Sequence, residues 1–149
     1  RRLDLPVDIV IEGVPVEADD ALTWHAQRAL GEMLSNVENH ARAESVTIRV
    51  AGVTGAETEP LRFLVEVEDD GIGLPRRILE DPSNLRGSGH YGLCGVQERL
   101  ASMGGRLSLR AREAGGTRIR ATIPVRTTPS DEGSPSSAIE GGSYASTDR

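Results

Sequence analysis

The chain has no lysine; all 17 of its basic side chains are arginine, a bias expected of a GC-rich coding sequence rather than of a function. Without lysine there is no Gly-x-x-x-x-Gly-Lys-Ser/Thr loop, so nucleotide chemistry of the P-loop type is excluded. Cysteine is nearly absent as well: the single Cys94 excludes an internal disulfide and suits a reducing cytoplasm. Cationic excess is missing, since the net charge of −6 offers no basic face for nucleic acid. No apolar run approaches the ~20 residues of a membrane span, and Arg1-Arg2-Leu3 opens no secretory leader. These absences predict a soluble, cytoplasmic domain with no direct membrane contact of its own. The abrupt start suits a piece of a longer protein, and leaves open a membrane anchor elsewhere in that parent. What is present, at 149 residues, is enough chain for one domain with its own core and some extra length.

Val7, Ile9 and Ile11 alternate with Asp8, Val10 and Glu12, which predicts a half-buried strand. Ala18 to Arg42 predicts one long helix. Ala26, Leu30, Met33, Leu34 and Val37 form its core stripe, Glu32, Asn36 and Asn39 fall on another arc, and His40 lies at the border. Val46, Ile48 and Val50 predict a second strand, and Ala51 to Pro60 a long hairpin loop. Leu61 to Glu68 follows as a third strand with Phe63, Val65 and Val67 on one face. From Leu74 to Gly89 periodicity fails among Pro75, Pro82, Gly87 and Gly89, predicting a mobile loop with one helical turn. Leu93, Val96, Leu100 and Met103 keep helical spacing up to Gly104-Gly105. Leu107, Leu109 and Ala111, then Ile119, Ala121 and Ile123, predict two last strands joined by Gly115-Gly116. Residues 1–125 therefore form the domain, and 126–149, rich in Ser, Thr, Gly and Pro, a disordered tail. The element order implies an α/β two-layer sandwich: a mixed, mostly antiparallel sheet of about five strands with helices on one face.

Three polar clusters interrupt this scaffold. At the end of the third strand, Asp70 precedes Gly71-Ile72-Gly73. Its carboxylate suits the exocyclic amino group of adenine, which guanine's edge does not match in the same way. Gly71 and Gly73 would let the backbone approach a purine and reach positive φ; the same residues also suit a plain surface turn. On the helix, Asn36 offers an amide oxygen to Mg²⁺, a cation that takes few protein ligands beside water and phosphate. Glu32, one turn earlier, is placed to polarise a water or take a proton, and His40, one turn later, to face a phosphate. A solvated helix edge explains Glu32 and Asn36 too, and a packing or capping role explains His40. Gly87-Ser88-Gly89-His90-Tyr91-Gly92-Leu93-Cys94-Gly95 leads into a helix whose free N–H groups and dipole favour anions, or is a flexible loop. Within it Tyr91 either covers a nucleotide or sits on the surface, and Cys94 reads as a packing residue. In this order and spacing the clusters fit Mg-ATP better than any other common ligand.

On these residues the chain resembles the catalytic ATP-binding domain of bacterial sensor histidine kinases, a branch of the Bergerat-fold ATPases. Glu32-x-x-x-Asn36-x-x-x-His40-Ala41 is similar to that family's N box, Asp70-Gly71-Ile72-Gly73 to its G1 box, and Gly89 to Gly95 to its G2 box. Gly115-Gly116-Thr117 to Pro124 matches its ending. His90-Tyr91-Gly92-Leu93, with Gln97-Glu98-Arg99 and Gly104-Gly105, is similar to the nitrate/nitrite-sensor type. The resemblance implies ATP and Mg²⁺ as cofactors, with Asn36 as the metal ligand, Glu32 assisting the reaction and His40 near the phosphates. It implies Asp70 on the adenine amino group, Gly71 and Gly73 lining the base pocket, and Gly92, Leu93 and Gly95 at the phosphates through their backbone. Leu74 to Gly89 would be an ATP lid, and Leu74, His90 and Thr117 complete the nucleotide-binding set.

The implied partners are a histidine-bearing dimerisation domain of the same protein and a response regulator, usually with LuxR-type output. The acceptor histidine is missing here: His25 and His40 lie inside the ATP-binding helix and His90 in the glycine loop. Val96 stands where this subtype usually has Met, a change expected to be harmless. The expected function is Mg-ATP binding and donation of the γ-phosphate to a histidine on that absent domain, with slow turnover by this chain alone. The alternatives are a non-catalytic interaction module with a degenerate pocket and an anti-sigma-factor-type serine kinase.

Overall fold

A computed structural model describes residues 4–126 and resolves the alternating and helical patterns into a sheet and a helical layer. The strands are β1 (Val7–Gly13), β2 (Val46–Val53), β3 (Arg62–Asp69), β4 (Arg106–Ala111) and β5 (Thr117–Pro124). The helices are α1 (Asp20–Asn36), α2 (Arg76–Glu80) and α3 (Tyr91–Ser102), with a π-helical turn at Val37–Ala41 and a 3-10 turn at Pro82–Gly87. The sheet order is β1-β2-β3-β5-β4. β1 runs parallel to β2, the crossover being α1, and the other neighbours are antiparallel. This is the expected mixed two-layer α/β architecture. Of the tail expected at 126–149, residues 127–149 lie outside the described residues.

Local chemistry moves several boundaries. α1 begins at Asp20 rather than Ala18, because Asp19 caps it: its Oδ1 accepts the Leu22 N–H at 2.7 Å. The helix does not run regularly to Arg42. It widens into the π turn after Asn36 and stops where Arg42 takes left-handed φ (49°). π turns inside helices recur at functional sites, and this one carries His40. β2 continues through Ala51 and Gly52 to Val53, so the hairpin loop is shorter than expected and begins at Thr54.

The core lies between the layers. Ala29, Met33 and Val37 meet Val65 and Val67 of β3, Leu93, Val96 and Leu100 of α3, and Ile119, Ala121 and Ile123 of β5. Burying a side chain such as Met33 contributes about 1.5–3 kcal/mol. The segment from Leu74 to Gly89 is not a bare loop with one helical turn. It holds two short helical pieces, and Ile78 and Leu85, each 0% exposed, anchor them in the core. A second departure is β1. Register puts Val7, Ile9 and Ile11 beside Val46, Ile48 and Val50, on the helix side of the sheet. Yet Ile9 is 66% and Ile11 81% exposed, because α1 packs over β3 and β5, and α3 over β4 and β5.

Among the described residues no helix lies over the opposite sheet face, which is covered by charge. Glu66, fully buried, accepts from Arg49 at 2.9 Å and from Arg120 at 2.6 Å, and Glu68 pairs with Arg118 at 2.6 Å. Arginine stems and paired carboxylates do there what apolar packing does on the other side.

Candidate nucleotide-binding site

The end of α1, the π turn, the turn after β3, the start of the lid segment, the residue before α3 and the start of β5 meet around one open cavity. It has a volume of about 340 Å³ and is lined by Asn36, His40, Ala41, Ile72, Gly73, Leu74, Pro75, His90 and Thr117. That volume lies at the small end of the range for ligand pockets, about 300–1,000 Å³. Asn36, His40, Gly73, Leu74, His90 and Thr117, all expected at a nucleotide site, are thus brought together across most of the chain.

Asp70 is not. Its Oδ1 accepts the N–H groups of Glu44 and Ser45 at 2.8 and 2.9 Å, and its Oδ2 accepts the Ser45 hydroxyl at 2.8 Å. These Ser45 and Glu44 donors hold its carboxyl below the usual aspartate range. Asp70 fastens the segment after the π turn to the end of β3 and leaves no oxygen facing the cavity. The buried carboxylate is its neighbour, which does not itself line the cavity but is paired in register with Thr117, which does. Asp69 is 1% exposed, accepts the Gly71 N–H through Oδ1 at 2.8 Å, and keeps a buried Oδ2 with no hydrogen-bond partner. Burial pushes its carboxyl above the ordinary range, while the backbone N–H groups of Gly71 and Thr117 act the other way. The signal that finds Asp69 is the alternation of β3 itself. Phe63, Val65 and Val67 face the core, so Asp69 continues that face and Asp70 turns outward.

The two glycines that follow are needed for different reasons. Gly73 has φ +80°, as expected of it. Gly71 does not reach positive φ; a Cβ there would lie 2.0 Å from the Ala41 carbonyl oxygen. That close approach lets the Ile72 N–H donate to Ala41 at 2.8 Å and joins the strand end to the π turn.

On the helical side, His90 is buried and its Nδ1 lies 2.8 Å from Asn36 Oδ1, with the His40 ring 4.3 Å away between centroids. Burial, and then the neighbouring His40 and Arg77, lower the His90 basicity. The first backbone bond of α3 runs from the Cys94 N–H to the His90 carbonyl at 3.1 Å, so the N–H groups of Tyr91, Gly92 and Leu93 precede the helical ladder. The Leu93 side chain is core. Gly95 sits a turn deeper, beside the Arg99 guanidinium. Glu32 does not line the cavity; its carboxylate rests on Gly92, where a Cβ would come within 1.9 Å of Oε2. Tyr91 is 70% exposed and also stands outside the lining.

A buried carboxylate oxygen without a donor, an inward amide and free helix-start N–H groups fit a ligand with an amino-bearing base at one end and anionic oxygens at the other. They fit a hard divalent cation only through Asn36, so phosphate and water would supply its other ligands. Among the described residues no helix is long and apolar enough to cross a membrane.

Comparison with known proteins agrees. Residues 23–127 match the family described as histidine kinase-, DNA gyrase B- and HSP90-like ATPase. The chain is 31% identical over 103 residues to the sensor histidine kinase YdfH of Bacillus subtilis (strain 168), covering 69% of this chain and 23% of that protein. It is 33% identical over 100 residues to the sensor protein NarQ homolog of Haemophilus influenzae, covering 67% of this chain and 16% of that protein. In fold it is similar to the histidine kinase domain of the Erythrobacter litoralis EL346 blue-light activated histidine kinase. The TM-score is 0.56 at 21% identity, covering 80% of this chain and 52% of that one. The chain spans less than a quarter of the length of the two curated relatives. With a sheet, a cavity and a sequence of this kind, the chain belongs to the histidine kinase-, DNA gyrase B- and HSP90-like ATPase family.

Proposed function

We propose that this domain binds ATP with Mg²⁺ in the cytoplasm. It then hands the γ-phosphoryl group to a histidine on a dimerisation domain elsewhere in the same protein, for relay to a response regulator. The observation that carries the reading is Asp69 Oδ2, a buried carboxylate oxygen with no donor. It takes the role expected of Asp70: acceptor for the adenine amino group, with Gly71, Gly73, Leu74 and Thr117 around the base. Asn36 is the residue that would hold Mg²⁺, and the cation, when bound, neutralises charge on the β- and γ-phosphates. The N–H groups of Gly92 and Leu93 receive anionic oxygens at the start of α3, and His40 faces them across the cavity. Glu32, resting on Gly92 at that helix start, is the carboxylate assigned to take up the proton the acceptor imidazole releases. As the phosphoryl group moves, the bond to the β–γ bridging oxygen breaks, the bond to the imidazole nitrogen forms, and ADP leaves. These residues act mostly by positioning. Resemblance to the nitrate/nitrite-sensor type supports a regulator with LuxR-type output.

Calorimetry with ATP and ADP, with and without Mg²⁺, on the wild type, Asp69→Asn and Asp70→Asn tests this. The wild type and Asp70→Asn are expected to bind adenine nucleotide alike. Asp69→Asn should bind about 10- to 100-fold more weakly, the loss expected for a hydrogen bond to a charged group. A reversed pattern would return the base to Asp70. No binding by any of the three would support the interaction module instead.

A further inference from the structure

Among the described residues, Asn36 is the only neutral amide side chain lining the cavity, and its oxygen is already in use. Asn36 and His90 are 6% and 8% exposed, so their 2.8 Å contact is made away from bulk water, with the amide oxygen accepting from the ring N–H. An amide oxygen this buried needs a donor or a cation beside it. Without ligand, His90 is that donor. It reaches Asn36 from the residue just before α3, 54 positions along the chain. The backbone behind it is uncrowded. Gly89 has φ +81° and nothing crowds it, and Gly87 is equally open.

We propose that His90 is a place-holder for the divalent cation. Its imidazole satisfies Asn36 while the site is empty and withdraws, by rotation over Gly89, when a cation-bearing nucleotide arrives. This rests on the Mg-ATP reading above. It makes the empty site self-latched, because the same contact that spares Asn36 ties the glycine-rich segment to the end of α1. It also sets what an incoming metal complex must bring: only a ligand with its own partner for Asn36 Oδ1 compensates the lost contact.

The alternative roles of His90 predict effects of opposite sign. As a place-holder, it competes with the cation, so His90→Ala should tighten Mg-ADP binding about three- to tenfold, the equivalent of one net hydrogen bond. Metal-free ADP, measured with chelator, should show none of this tightening, and His90→Gln, which keeps a donor, should restore the wild-type value for Mg-ADP. A phosphate-contacting or amide-orienting His90 would instead make Mg-ADP bind more weakly in His90→Ala, and that result would overturn the proposal. A measurement on the wild type needs no variant to fold. The protected His90 ring N–H proton should be seen by NMR in the ligand-free domain, persist with ADP and chelator, and disappear with Mg-ADP. Its persistence in a domain saturated with Mg-ADP would overturn the place-holder while leaving nucleotide binding intact. A wild type that binds no Mg-ADP would overturn both.

Discussion

Asp69 and Asp70 carry the same side chain one position apart, and the alternation of β3 sends them to different chemistry. Asp70 is tied on the surface to Ser45 and Glu44; Asp69 is shut in beside Gly71 and Thr117 with an oxygen to spare. Their effects on stability have opposite signs. Burial raises the folded-state value of Asp69, so the folded form holds its proton more tightly. Its stabilising effect is full below the unfolded value and is lost as pH climbs through the raised one. For Asp70 the folded value is lowered, so its contribution is present above the unfolded value and lost as pH falls through the folded one. Denaturant unfolding at stepped pH should therefore show Asp69→Asn losing the decline above the ordinary aspartate range while keeping the acid limb. Parallel curves for the two proteins would remove Asp69 as its source. This residue was legible in the sequence through the parity of Phe63, Val65 and Val67. What obscures it is Asp70 beside Gly71, since an Asp-Gly pair is the stronger local signal than the parity of the strand.

At the scale of elements, periodic stretches were legible and aperiodic ones were not. α3, β4 and β5 follow their apolar spacing, and Gly104-Gly105 ends α3 as expected. The π turn has no signature in hydrophobic spacing, since Val37 and Ala41 are buried in either helical form. The lid segment looked irregular because two short pieces, each contributing one anchor, make no period. Ile78 and Leu85 nevertheless hold it to the core, helped outside by the Arg86–Glu98 ion pair between the lid and α3. Leu85→Ala is expected to lower unfolding free energy by about 2–5 kcal/mol, as at other core leucines. Urea titration measures it, and a cost near zero would mean the lid is not packed as described. β1 fails in the other direction. Its alternation promised burial, but alternation states which side of a sheet a residue faces and not whether a helix covers that side.

For the whole molecule, sheet order and crossover were implied only as a mixed sheet of about five strands. The pairing of β3 with β5 rather than β4 is a long-range choice that no local pattern encodes. The charged outer face was equally hidden, since Glu66 and Arg120 read singly as solvent residues and only register makes them partners. The cavity draws on the end of α1, the π turn, the turn after β3, the lid, the residue before α3 and the first residue of β5. Because its lining runs from Asn36 to Thr117, the pocket exists only after β5 has been laid between β3 and β4. Nucleotide affinity is therefore a property of the completed fold and not of any separable part. A ligand confined to that state pulls the folding equilibrium with it, by about 2.7 kcal/mol at a hundred times its dissociation constant. Melting temperature should rise steadily with added Mg-ADP, and an invariant melting point would mean that nothing in the cavity is engaged. Synthesised from its N-terminus, the chain becomes able to hold nucleotide all at once, when β5 closes the sheet.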